Sequence, residues 1–210
     1  MTISFIIDNY LTGNASPKTV AKNLTSFIEE QQEDFYDVAS DSVFLEKLAN
    51  QKYDETLLQE LINKKYFLFV YQKDNYSDQF NLLFWSTQVV DPAASLSLMN
   101  QKTGFVQLAN GYYVWEKINF KDVVLIGLIP IQWNYTITND YLTNSFTTGK
   151  NIEKSYSISD KRLINNVYSV DGHFLFSLVP KPTNNDFHNN LLAFVFRIIA
   201  AFFILYFLEL

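Results

Sequence analysis

The last twenty residues, LLAFVFRIIAAFFILYFLEL, constrain this chain more than any other stretch. Thirteen of the eighteen residues from Leu191 to Leu208 are Leu, Ile, Val or Phe. On an insertion scale they sum to about −4 to −8 kcal/mol, opposed by about +2.5 to +3.5 kcal/mol for Arg197 at mid-bilayer. Arg197 lies about two turns from the start of the segment, where its guanidinium can reach the headgroups. Eighteen helical residues rise roughly 27 Å, close to the hydrocarbon thickness of a bilayer. A buried core helix would usually keep a polar stripe, and only Arg197 interrupts this one. Residues 187–210 are therefore expected to form a transmembrane helix. Residues 1–15, which include MTISFIIDNYL, are too short to span and lack the basic start and cleavage site of a signal peptide. They are expected to be the tail of a transmembrane helix that begins further upstream.

Between these ends, residues 16–186 are enough for one sizeable domain with a buried core. Thirteen Tyr, nineteen Phe and a hydrophobic content of 48% exclude a disordered chain. A net charge of −6 without a basic stripe argues against nucleic acid as a partner. Cysteine is absent. That removes disulfides, thiolate metal sites and cysteine nucleophiles together, and leaves the redox compartment open.

Ser16 suits an N-cap and Pro17 the first helical position, so a helix is predicted over 17–50. Leu24, Ile28, Gln31, Phe35, Val38, Ser42 and Leu45 follow a four-three alternation along it. The seam serves packing on its own domain, or in part a partner subunit. DETLLQELINKK (54–65) reads as a second, shorter helix. From Tyr66 the period changes to two. KYFLFVYQ and FNLLFWS form a hairpin around KDNYSDQ, and DPAAS (91–95) is a loop. GFVQL and YYVWEKI flank ANG (109–111), where Asn110-Gly111 suits a type I′ turn. VVLIGLIPIQ (123–132) is continuously apolar, as a strand buried on both faces must be, with Pro130 near its end. TNDYLTNSF (138–146) is read as a short helix, and NVYSV-DG-HFLFSLV (166–179) as a second strong hairpin.

Catalytic constellations are missing. His173 follows a hairpin Asp-Gly and His188 lies beside the apolar tail, so both read as surface or interfacial residues. GKNIEK lacks the glycines of a phosphate loop. DNYSD (74–78) lacks the mid-loop Gly and closing Glu of a calcium loop and reads as a turn. No catalytic residue, metal ligand or cofactor is expected. What remains is a set of amphipathic aromatics, Trp85, Tyr112, Tyr113, Trp115, Trp133 and Tyr135, which either fill a core or line a small-molecule pocket. Trp85, Tyr113, Trp115, Trp133 and Tyr135 are the candidate ligand-binding residues.

Taken in order, LANGYYV (108–114), IGLIPI (126–131) and YTITNDYL (135–142), with KKYFLFVYQKD and LLFWSTQVV before them and YSVDGHFLFSLV after, resemble the extracytoplasmic sensor region of membrane-bound histidine kinases of Bacteroidetes. The resemblance covers most of residues 16–210. It implies an α+β fold in which a long N-terminal helix precedes a mostly antiparallel, PAS-like (Cache-type) sheet with short helices, followed by a C-terminal transmembrane helix. It further implies a homodimer at the inner membrane, with residues 16–186 on the periplasmic side. Such a domain senses an unknown small-molecule or envelope signal for two-component regulation and passes it through the last helix. The sequence departs from the family's kinase core, having neither an H-E-x-x-P phosphoacceptor nor an Asp-x-Gly-x-Gly ATP lid, so it cannot itself phosphorylate. Truncation after the span is the expected reason. The competing class is a tail-anchored or envelope binding or scaffold protein without a kinase partner domain.

Overall fold

The computed structural model describes residues 16–74, 79–91, 94–149, 151–182 and 198–200. Helix α1 (Pro17–Ser40) starts where Ser16 and Pro17 place it, with the Ser16 hydroxyl accepting from the Thr19 amide at 3.3 Å. It does not run on to residue 50. Asp41 turns extended, and its carboxylate accepts from the amides of Val43 and Phe44 at 2.9 and 3.1 Å. A new helix, α2 (Ser42–Ala49), therefore begins under an aspartate cap. Helix α3 (Glu55–Ile62) starts the same way under Asp54. Replacing Asp41 with Ala should cost about 1 kcal/mol, read as a shifted urea midpoint with an unchanged slope.

Five antiparallel strands form the main sheet in the order β2-β1-β5-β4-β3: β1 (Phe67–Lys73), β2 (Phe80–Trp85), β3 (Thr103–Leu108), β4 (Gly111–Phe120) and β5 (Val123–Trp133). The two-residue strand β6 (Ser145–Phe146) pairs with the end of β5. A smaller sheet has the order β7-β9-β8, from β7 (Tyr156–Ser159), β8 (Asn165–Tyr168) and β9 (Phe174–Pro180). Short helices α4 (Ser95–Leu98) and α5 (Ile152–Ser155) sit in the connections.

As its unbroken apolar run requires, β5 is central and buried on both faces. Its odd-numbered residues Leu125, Ile129 and Ile131 join α1, α2 and the small sheet in one core. Val124, Ile126 and Leu128 face a second core with Phe69, Tyr71, Tyr113 and Trp115, closed over by Val90 and Leu96. Within the first core, Gly127 has no side chain, and a Cβ there would lie 2.8 Å from the Phe35 ring. The bare backbone at Gly127 is what lets α1 sit so close to the sheet. Pro130 lies beside the register shift at Tyr112/Tyr113, past the last β1–β5 pair, where its missing N–H breaks no β1 ladder bond.

Several expectations are corrected. The C-terminal transmembrane helix is not found: among the described residues no helix is long and apolar enough to cross a membrane. The longest, α1, is amphipathic, with exposed Lys18, Lys22, Glu30, Glu33 and Asp37 that a bilayer would not accept. Of residues 187–210, only 198–200 are described, and they are helical; the rest, like 1–15, lies outside the described residues. What stands is a helix followed by antiparallel sheets. The β3–β4 hairpin forms, but its loop is Ala109-Asn110 and neither residue has positive φ, so the turn is not type I′. Gly111 is needed for another reason, since a Cβ there would meet the Gln132 carbonyl at 2.5 Å. Residues 138–144 form no helix. The Asn139 side chain accepts from the Tyr141 and Leu142 amides at 2.8 Å each, a local turn that competes with helical bonding. At the β8–β9 hairpin, Gly172 does take positive φ, +76°.

The α1 seam is spent on the fold itself. Leu24, Ile28, Gln31, Phe35 and Leu45 are buried within the chain, while Ser42 is exposed and Val38 only half-buried.

Candidate functional site

A cleft of about 630 Å³ opens at the β3 edge of the main sheet, between the 99–102 segment and the β8–β9 turn. Trp115, Phe105 and Phe174 supply aromatic surface; Thr103, Lys102, Asp171 and His173 supply polar and charged groups. Gly104 pairs with Trp115 across the β3–β4 ladder, and a Cβ at 104 would lie 2.8 Å from the indole nitrogen. The bare backbone at Gly104 lets the buried indole pack directly against β3 at the cleft floor. Opposite, the Arg162 guanidinium lies 5.2 Å from the Phe174 ring centre, holding that ring as a wall.

Behind this cleft lies a buried polar cluster that the sequence did not flag. Glu116 is the next residue along β4 from Trp115, so its side chain passes to the opposite face and ends fully buried beneath α1. The Thr103 hydroxyl donates to Glu116 Oε1 at 2.5 Å and the Tyr36 hydroxyl to Oε2 at 2.6 Å. The Gln32 amide also donates to Oε1, and its own carbonyl accepts from the Val170 amide at 2.8 Å. Every donor is neutral, and among the described residues no lysine or arginine pairs with Glu116. Burial raises its pKa above the ordinary carboxyl range, the three hydrogen bonds oppose that rise, and the nearby Asp171 charge adds to it. Burial first, and then the Glu116 bond, push the Tyr36 phenol up as well.

A raised native pKa has a signed consequence. The native state keeps a proton that the unfolded chain has lost, so stability is full below the ordinary carboxyl pKa and falls as pH rises through the native value. Unfolding titrations at several pH values should show this decline, and Glu116→Gln should flatten it.

On the other face of β4, Lys117 is buried and donates to the carbonyls of Met99 and of Ser97, the latter at 3.4 Å. It ties the 97–99 segment to the sheet, and burial lowers its pKa.

The five sequence candidates do not share one place. Trp115 lines the cleft. Tyr113 is fully buried in the second core, its hydroxyl donating to Asn110 at 2.8 Å. Trp133 stands edge-on to Tyr113 with centroids 6.2 Å apart and stacks on Tyr135 at 5.9 Å, so these three form a ring cluster away from the cleft. Trp85, at the end of edge strand β2, is 49% exposed. Sequence reasoning missed Gln32, Tyr36, Thr103, Glu116 and Asp171. The one usable signal was Glu116 inside the apolar run YYVWEKI, a charged residue at a strand position that two neighbouring strands bury. His173 sits at the cleft rim, exposed. Among the described residues no group of three or more His, Cys, Asp or Glu is placed to hold a metal.

Comparison with known proteins is silent: no family model, no curated protein and no solved structure matches this chain.

Proposed function

We propose that this chain is the signal-sensing module of a receptor for two-component regulation, acting as a homodimer on the extracytoplasmic side. It takes a small ligand in the β3-edge cleft and relays occupancy to α1. The ordered motifs that resemble histidine-kinase sensor regions support the receptor class. The observation that carries the relay is Gln32. Its amide joins Thr103, on one cleft wall, and the buried Glu116 behind that wall, and its carbonyl holds Val170, next to Asp171 on the other wall. A ligand that moves either wall must therefore move α1. The lining suits a molecule with a flat apolar body and a polar edge, the body against Phe105 and Phe174, the edge toward Thr103, Asp171 and Lys102.

A thermal-shift screen of the full chain against metabolites of that kind tests the reading. A ligand at about 100 times its dissociation constant should add about 2.7 kcal/mol of stability. Phe174→Ala should weaken the same ligand about three- to tenfold by removing a stacking wall. A screen without binders, or binders indifferent to both Phe174→Ala and Asp171→Asn, would overturn it.

A further inference from the structure

The outer edge of β3 offers a row of backbone groups with nothing bonded to them. β3 ends the main sheet, with β4 on one side only. The Lys117 amide donates to the Lys102 carbonyl, which fixes the alternation along the hairpin. Gly104, Val106 and Leu108 therefore bond to β4, while the N–H and C=O groups of Thr103, Phe105 and Gln107 point away from it. Among the described residues no group pairs with those outward amides and carbonyls. Edge strands are usually blunted by a charge, a proline, a bulge or brevity. Here β2 meets β1 through a bulge at Val70/Tyr71, β8 meets β9 through one at Val167/Tyr168, and β7 has four residues. TGFVQL (103–108) has six residues, no charge, no proline and no bulge.

We propose that the ligand of the cleft is a peptide, an extended segment of about five residues that adds to β3 as a further strand. This rests on the reading of the cleft as the ligand site and narrows the class of ligand. The cleft runs along the edge of the sheet rather than over one face. Thr103 and Phe105 line it from the α1 face, and Gly104 and Val106 from the other. A chain lying in it is therefore level with β3 and within reach of the outward groups of Thr103 and Phe105, with Gln107 just past its end. The 630 Å³ between this edge and the wall at Asp171, His173 and Phe174 has room for one extended chain. A second copy would have to bring its own β4 and β8–β9 turn into the same space. A peptide residue opposite Phe105 puts its side chain on the α1 face, beside the Phe105 and Phe174 rings, where an aromatic fits. The main chain then supplies affinity, and that side chain supplies selectivity.

A library of acetylated pentapeptide amides with phenylalanine fixed at the centre is the probe, screened on the full chain. Members should bind and slow amide exchange at Phe105 and Gln107, whose N–H groups point outward. Methylating the amides of a bound peptide one at a time should weaken it with a period of two. The loss should be about tenfold at amides that face β3 and small at those between. Gln107→Pro removes one outward N–H and leaves the Val106 and Leu108 bonds to β4 in place. It should weaken the same peptides about two- to tenfold, whereas Gln107→Thr should bind as the parent does. Binding that ignores the position of the methyl group would overturn the proposal. So would Phe105 amide protection that rises with protein concentration alone, which would give the edge to a second copy. Non-peptide metabolites that bind in the cleft while every peptide fails would sink this inference and leave the sensor reading standing. No binder of either kind would sink both.

Discussion

Phe35→Ala should lower the unfolding free energy by about 3–5 kcal/mol, as for loss of a fully buried aromatic ring. Phe35 is 1% exposed and sits at the middle of the α1–sheet contact, edge-on to Tyr36 and Tyr66 at 5.8 Å each. Beneath it is the bare backbone of Gly127 on the central strand. The void left by the ring cannot collapse easily, because β5 is held by β1 on one side and β4 on the other. Urea unfolding should show a lower midpoint with an unchanged slope. The geometry also sets the sign of a coupling. Gly127→Val should destabilise the parent, since its side chain would enter the space the ring fills, yet cost much less in the Phe35→Ala background. Equal cost in both backgrounds would show that the two residues do not share that space.

Gln32→Leu should cost about 2–3 kcal/mol and uncouple the cleft from α1. The apolar side chain withdraws a donor from buried Glu116, which carries most of the penalty. It also withdraws the acceptor from Val170, but that residue is 38% exposed, so water can replace the bond. Removing both polar partners is a different matter. Gln32→Leu with Glu116→Leu leaves no buried charge to satisfy and should be clearly more stable than the sum of the two single losses. In either variant Val170 amide protection should drop, because the bond that ties the turn to α1 is gone.

Much of the fold was legible because local rules and burial agreed. Ser16-Pro17 announced α1, the unbroken run at 123–132 announced a central strand, and Asp171-Gly172 announced a hairpin whose Gly172 takes positive φ. The misses fell where a local rule met a stronger neighbour. Asp41 inside a helical pattern caps a new helix instead of extending the old one. Asn110-Gly111 suggested a type I′ turn, but Gly111 belongs to β4, pressed against the Gln132 carbonyl. Asn139 folds its side chain onto the next amides and forestalls the helix predicted for 138–146.

The candidate site was the least legible part, and the reason is geometric. Alternating hydrophobicity told which strand residues face inward, but with both faces of the sheet buried it could not say against what. Tyr113, Trp115 and Trp133 are alike as sequence and all pack in the second core, yet Trp115, paired with Gly104, also borders the cleft. Glu116 acquires its meaning only because α1, 84 residues away at Gln32, lies across it. By itself the sequence determined where α1 starts, the central strand and the hairpin at Asp171-Gly172, since these rest on patterns read along the chain. Only the tertiary structure decided which side chains meet, because a buried carboxyl, its neutral donors and the β8–β9 turn come from segments that no periodicity connects.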